Sequence, residues 1–145
     1  MITMTDDLEV APILLVEDNP GDVILIREML REHGLRGELS VIGDGDIACE
    51  FIARLDRDPG IPCPGLLILD LNLPRRSGHE VLKMFRESDR CSKIPVAILS
   101  SSSAPKDRDA VAALGADTYI QKPISLEEFM QIGAILKQVL QSRRE

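Results

Sequence analysis

Leu66-Leu67-Ile68-Leu69-Asp70-Leu71-Asn72-Leu73-Pro74 is a continuous apolar run that stops at an acid and then at a proline. Four consecutive aliphatic residues with no polar alternation predict a strand covered on both faces, as in a parallel sheet. The same pattern occurs earlier, where Ile13-Leu14-Leu15-Val16 stops at Glu17-Asp18-Asn19-Pro20. Weaker or shorter strands are predicted at Leu39–Ile42, Pro95–Leu99 (ending in Ser100 to Ser103) and Thr118–Ile120 (before Lys122-Pro123).

Helical spacing fills the intervals. Asn19-Pro20 is a helix start, with Val23, Ile26 and Leu30 on one face and Gly34 as the stop. A second helix carries Ile47, Phe51, Ile52 and Leu55. Ser77-x-x-Glu80 is a capping box for a third, with Val81, Leu82 and Phe85 inward. A fourth runs from Pro105 to Leu114 and ends at Gly115. Ser125-x-x-Glu128 caps a last helix bearing Leu126, Phe129, Gly133, Leu136 and Leu140. The stretch from Asp56 to Gly65, with three prolines and two glycines, is a loop. Five β units alternating with five α units predict a single doubly wound α/β domain around a five-stranded parallel sheet; if the strand order is 2-1-3-4-5, the first and third strands are neighbours. The domain spans 12–141, with tails at 1–11 and 142–145.

Composition narrows the function. The chain has 145 residues, a hydrophobic fraction of 44% but only 3% aromatics, so its core is aliphatic. A net charge of −7 argues against gripping nucleic acid or an anionic membrane. The first ten residues lack the basic start and apolar run of a signal peptide, and no stretch is long enough to span a bilayer; a cytoplasmic location is expected. Cys49, Cys63 and Cys91 have no metal or redox spacing and predict free thiols in a reducing compartment.

Polar residues close each strand. Glu17 and Asp18 end the first, Asp70 the third, Ser100 the fourth and Lys122 the fifth. In doubly wound sheets ligands bind beyond the carboxyl ends of the strands, so these groups are expected at the same edge of the sheet, with the three carboxylates in one crevice. Three acids there repel unless a cation compensates. Mg²⁺ suits an all-oxygen set, and a carboxylate beside it can act as a nucleophile toward phosphorus. Ser100 and Lys122 would bind the remaining phosphoryl oxygens. Any one of these residues alone would be an ordinary cap, turn or surface residue; the joint pattern is what points to chemistry.

Val16-Glu17-Asp18-Asn19, Leu69-Asp70-Leu71-Asn72-Leu73-Pro74 with Gly78, then Ser100, then Lys122-Pro123 resemble the receiver domains of bacterial response regulators over residues 12 to 141. The resemblance implies a flavodoxin-like fold and a signalling module of a two-component system, not a turnover enzyme. It implies that Asp70 accepts a phosphoryl group from a sensor histidine kinase. Asp18 would ligate Mg²⁺ directly, Glu17 would hold a metal-bound water, and the Asn72 carbonyl would complete the protein's share. Ser100 matches the switch hydroxyl and Tyr119 the aromatic that follows it; Ser102 sits where relatives tune dephosphorylation. The Lys122–Pro123 bond is expected to be cis.

Three features depart from the common pattern: Glu-Asp for Asp-Asp, Ser for Thr at the switch, and the long loop before the third strand. The loop, with Asp-Leu-Asn-Leu-Pro-Arg and Glu80-Val81-Leu82, looks most like regulators paired with phytochrome-type kinases. The chain stops soon after its last helix, so a single receiver without an output domain is expected. Its message would pass to a downstream protein or phosphotransfer protein through the face of the fourth helix, fifth strand and last helix, where a homodimer is also expected. An aspartyl-phosphate hydrolase would need an acid in place of Asn72, and a flavin carrier a Gly/Thr-rich loop after the first strand. The full set Asp18, Asp70, Ser100 and Lys122 weighs against a degenerate scaffold. His33 and His79 are read as surface residues without partners, Arg75 and Arg76 as solvated, and Ser101–Ser103 as a flexible loop.

Overall fold

A computed structural model describes residues 8–9 and 12–144. Its strands are β1 (Leu8–Glu9), β2 (Ile13–Val16), β3 (Leu35–Arg36), β4 (Leu39–Ile42), β5 (Leu66–Leu69), β6 (Val96–Ser100) and β7 (Thr118–Gln121). Its helices are α1 (Pro20–Glu32), α2 (Gly45–Arg57), α3 (Gly78–Arg86), α4 (Pro105–Ala113), α5 (Leu126–Met130) and α6 (Ile132–Arg144). The main sheet is parallel with order β4-β2-β5-β6-β7. Counted over those five strands alone, this is the expected 2-1-3-4-5.

Period-two alternation explains the apolar runs. Leu14, Val16, Leu67, Leu69, Val96 and Ile98 face one side, where α2 and α3 add Ile52, Leu55, Leu82 and Phe85. Ile13, Leu15, Leu66, Ile68, Ala97 and Leu99 face the other, against Ile26 and Met29 of α1 and Phe129, Ile132 and Leu136 of α5 and α6. Each fully buried aliphatic side chain contributes about 1.5–3 kcal/mol relative to exposure. Both faces are therefore core, and the alternation visible in a half-buried strand is lost. Among the described residues no helix is long and apolar enough to cross a membrane.

Several elements differ from expectation. β1 and β3 form a small parallel pair outside the main sheet, so two residues of the expected N-terminal tail are strand; the tail's other residues lie outside the described ones. Ile47 and Leu126 are exposed, and α2 instead buries Ala48, Cys49, Ile52 and Leu55. The last helix is broken at Gln131, whose N–H turns back to the Glu128 and Phe129 carbonyls. Phe129 of α5 and Ile132, Leu136 and Leu140 of α6 all reach the core. α6 runs on through Arg144, into the expected C-terminal tail. The histidines have partners: His33 Nε2 lies 2.6 Å from the Met130 carbonyl, and His79 Nε2 lies 3.1 Å from Asp107 Oδ1. Both partners are remote in sequence, beyond the reach of local spacing.

The cysteine expectation is overturned for two of three. Cys63 and Cys91 form a disulfide with Cα atoms 5.6 Å apart, and Cys49 is free and buried. Cys63 precedes β5 and Cys91 precedes β6. These strands are neighbours, so their amino-terminal approaches lie together although 28 residues separate the cysteines. Polar contacts reinforce the same corner: Asp56, in the last turn of α2, accepts from Ser88 Oγ (2.5 Å) and from the N–H groups of Asp89 and Arg90.

A cross-link over this loop constrains the unfolded chain. Reduction, or the Cys63→Ser/Cys91→Ser pair, should lower the unfolding free energy by roughly 2–4 kcal/mol, measured by urea denaturation. Thiol titration of the unfolded, unreduced protein should count one thiol, rising to three after reduction.

Candidate functional site

Strand register places the site. Val16 pairs with Leu69, so the residues that follow them, Glu17 and Asp70, leave the sheet side by side. The Asp70 N–H donates to the Val16 carbonyl (3.0 Å) and the Glu17 N–H to that of Ile42 (2.9 Å). Alternation puts Glu17 on the side of Ile13 and Leu15, and Asp70 on the side of Leu66 and Ile68. Lys122 continues the side of Ile120, so all three face α1.

The geometry follows from that parity. Lys122 Nζ lies 2.8 Å from Glu17 Oε1, 3.0 Å from Asp70 Oδ2 and 2.8 Å from Asp22 Oδ2. Glu17 is 2% and Asp70 5% exposed, whereas Asp18 is open to solvent. The Asn19 N–H donates to Glu17 Oε2 and the Asn72 N–H to Asp70 Oδ1, each at 3.1 Å. Gly78 makes room for this turn: a Cβ there would lie 2.2 Å from the Asp70 carbonyl oxygen.

Charge in the cluster is unevenly held. Burial pushes the Glu17 carboxyl upward, and the Lys122 and Asn19 hydrogen bonds only partly offset it. For Lys122, burial works against the charge, but hydrogen bonds from its ammonium to Asp22, Glu17 and Asp70 outweigh it and raise its pKa. Lysine here is a fixed cation.

One carboxylate oxygen from each of Glu17, Asp18 and Asp70 falls within 4.8 Å of the others. Three hard oxygen donors, with no imidazole or thiolate, suit a magnesium- or manganese-like ion that keeps water as its other ligands. The residues present therefore fit a divalent cation. A cavity of about 540 Å³, lined by Ile13, Leu30, Leu35 and Arg27 among others, lies at the amino ends of the strands, away from these acids.

Ser100 sits at the same sheet edge but on the opposite side, continuing Val96 and Ile98. It is fully buried, and its Oγ accepts from the Ser102 N–H (3.3 Å). Tyr119 is half-buried and its hydroxyl donates to the Ser102 carbonyl (2.8 Å). The serine segment thus has defined partners, where the sequence predicted only a flexible loop. Arg75 and Arg76 are likewise paired, with Asp44 and Asp46 at the start of α2, each at 2.8 Å. Arg75 adopts a left-handed backbone (φ 72°) as the chain turns after Pro74. The Lys122–Pro123 bond is trans, against expectation; trans is the intrinsically favoured X–Pro isomer, by about 0.5–1 kcal/mol. Asp22 is the site residue that sequence reading missed. Its carboxylate reaches Lys122 across 100 residues, and the only local signal was its place in the first turn of α1.

A doubly wound sheet carrying lysine-clamped carboxylates at its carboxyl edge offers a crevice whose donors suit a divalent cation. The chain belongs to the response regulator receiver domain family, whose model matches residues 13–133. It is 33% identical to the response regulator Rcp1 of Synechocystis over 83% of this chain and 82% of that protein. It is 35% identical to the probable methanogenesis regulatory protein FilR2 of Methanothrix harundinacea over 80% of this chain and 74% of that one. Among solved structures it superposes on the phosphorylated cyanobacterial phytochrome response regulator RcpA with a TM-score of 0.81 at 31% identity, covering 94% of this chain and 96% of that one. The Mn²⁺-bound form of Rcp1 gives 0.78 at 31% identity, covering 89% and 92%.

Removing one partner of a buried ion pair costs about 3–5 kcal/mol, less where the edge is open to water. Lys122→Met should therefore lower stability at neutral pH by about 2–3 kcal/mol, read by chemical denaturation at low salt. The sign with pH is fixed by the acids left behind. As pH falls, Glu17, whose pKa burial raises, loses its charge, and the deficit should shrink.

Proposed function

We propose that this chain accepts a phosphoryl group on Asp70 from the phosphohistidine of a sensor kinase, in a Mg²⁺-dependent reaction, and relays the signal through protein contacts. The observation that carries this reading is the setting of Asp70. Its carboxylate is buried, fixed between the Asn72 N–H and Lys122 Nζ, and faces the acids Glu17 and Asp18.

Asp70 is oriented before any partner arrives, which removes part of the entropic cost of attack. One of its oxygens forms a bond to phosphorus while the bond from phosphorus to the imidazole nitrogen breaks. The imidazole keeps that electron pair and takes a proton from water. Lys122 supplies a positive charge that stays with the site throughout and can follow the new phosphoryl oxygens. Glu17, Asp18, Asp70 and the Asn72 carbonyl are the groups that would hold Mg²⁺. When bound, that ion neutralises charge on the phosphoryl oxygens and lets a dianion approach three acids.

Ser100 and Tyr119 are the residues we assign to the switch. A phosphoryl group on Asp70 offers Ser100 a stronger, charged acceptor than its present contact with Ser102, so contacts made only in the phosphorylated state shift the population. The likeness to RcpA, described as a phytochrome response regulator, supports a phytochrome-type kinase as the donor. The outputs that fit this reading are a downstream protein, a phosphotransfer protein or a second copy docking on the α4–β7–α6 face.

Incubation with acetyl phosphate and Mg²⁺, followed by intact-mass measurement, should yield a single phosphoryl adduct. It should be absent without the metal and absent in Asp70→Asn. An undiminished adduct on Asp70→Asn would overturn the assignment.

A further inference from the structure

A second polar network lies outside the phosphoryl chemistry. α4 is lightly anchored: Val111 is its one buried residue, and its N-cap, Ala104, makes no side-chain hydrogen bond. A relay of side chains holds its first turn instead. Asp107, in that turn, divides its carboxylate between two partners. Oδ2 accepts from the Ser102 hydroxyl, and Oδ1 lies 3.1 Å from His79 Nε2 in the first turn of α3. The Ser102 hydroxyl outweighs the cost of desolvation and, with His79 and Lys106, holds the Asp107 carboxyl below its usual range. It is therefore an anion at neutral pH.

Ser102 contacts the groups assigned to the switch. Its N–H donates to Ser100 Oγ at 3.3 Å, and its carbonyl accepts from the Tyr119 hydroxyl at 2.8 Å. Its own Oγ also accepts from the Ala104 N–H at 3.2 Å. One residue beyond Asp107, the Arg108 guanidinium lies 4.5 Å from the centre of the Tyr119 ring. His79 and Asp107 thus fasten the loop between β6 and α4 to α3.

We propose that Asp107, oriented by His79, is a positioning residue that latches the β6–α4 loop through Ser102 and sets how readily Ser100 and Tyr119 leave their present arrangement. The proposal rests on the reading of Asp70 as phosphoacceptor, since the switch answers to that group. A latch that favours the resting arrangement reduces the apparent affinity for anything requiring the other one. The groups are about one-third exposed, so a charged hydrogen bond here is worth about a threefold to tenfold bias in that equilibrium.

The test uses beryllofluoride with Mg²⁺ as a phosphoryl mimic on the full chain. There is one tyrosine and no tryptophan, so intrinsic fluorescence reports Tyr119 alone. Asp107→Asn keeps the shape and removes the charge; His79→Ala removes the orienting ring. In each, beryllofluoride affinity should rise about threefold to tenfold, and the emission of the free protein should move toward that of the mimic-bound wild type. Asp107→Glu should return part of the wild-type behaviour. The double variant should match the larger single effect, because both changes cut one relay. Variants that lower thermal stability but leave affinity and emission at wild-type values would make the relay a brace only and overturn the proposal, as would additive effects in the double variant. Asp70→Asn separates the two claims. Wild-type beryllofluoride affinity in Asp70→Asn would overturn the acceptor reading, while the emission of the unliganded latch variants still tests the latch.

Discussion

Lys122 carries one positive charge into contact with Glu17, Asp22 and Asp70, and Asp18 stands beside them. Without that cation the carboxyl edge of the sheet would collect like charges in a half-dry crevice, where repulsion is weakly screened. The clamp also joins distant parts of the chain: the end of β2, the start of α1, the end of β5 and the end of β7. The fold must therefore be complete before the site exists, and the site in turn ties β7 and α1 to the sheet's centre. A clamp of this kind is a hydrogen-bonded compromise, one ammonium shared among three carboxylates.

The two ends of the sheet are built differently. At the amino ends, the Cys63–Cys91 disulfide, the Asp56 contacts and Arg86 fix the approaches to β5 and β6. Arg86 is half-buried and donates to the carbonyls of Ser92, Ile94 and Gly115. At the carboxyl ends, the β6–α4 segment rests on a few half-exposed polar bonds and one buried valine. Local stability varies in this way when one region must stay put while another rearranges. A stiff amino end confines any response to the carboxyl edge.

Most of this was legible in the residues. Leu66–Leu69 gave its strand to the residue, and Asn19, Ser77 and Ser125 cap the helices they were expected to cap. The Glu17, Asp18 and Asp70 carboxylates were expected in one crevice with Lys122 at the same sheet edge, and the three acids lie together with Lys122 Nζ against two of them. What escaped depended on contacts without a local signature. Leu126 has the right spacing for the core face, but it is the first residue of α5, next to the Ser125 cap, and it is exposed. His79 gains its partner 28 residues away, and Asp22 meets Lys122 across 100. The cysteine pair is invisible until strand adjacency brings two loops together. Pairings across a sheet edge come from topology, and periodicity within one segment carries no trace of them.

Side-chain parity gives the edge a division of labour. Glu17, Asp70 and Lys122 continue strand positions that face α1, α5 and α6, whereas Ser100 continues positions that face α2 and α3. Tyr119 packs against that second side too, and Ser102, Asp107 and His79 gather there. The charged groups thus lie on one side of the sheet and the residues assigned above to the switch on the other. Ser100 is the residue at the boundary: it is fully buried, one strand away from Asp70, and bound to the loop by a single 3.3 Å contact. A hydroxyl has few rotamers and a short reach, so it must choose between the loop and the acid's side of the edge. In the switch proposed above, a local change at Asp70 would not have to travel along the domain; it would act on one hydroxyl at the end of the neighbouring strand.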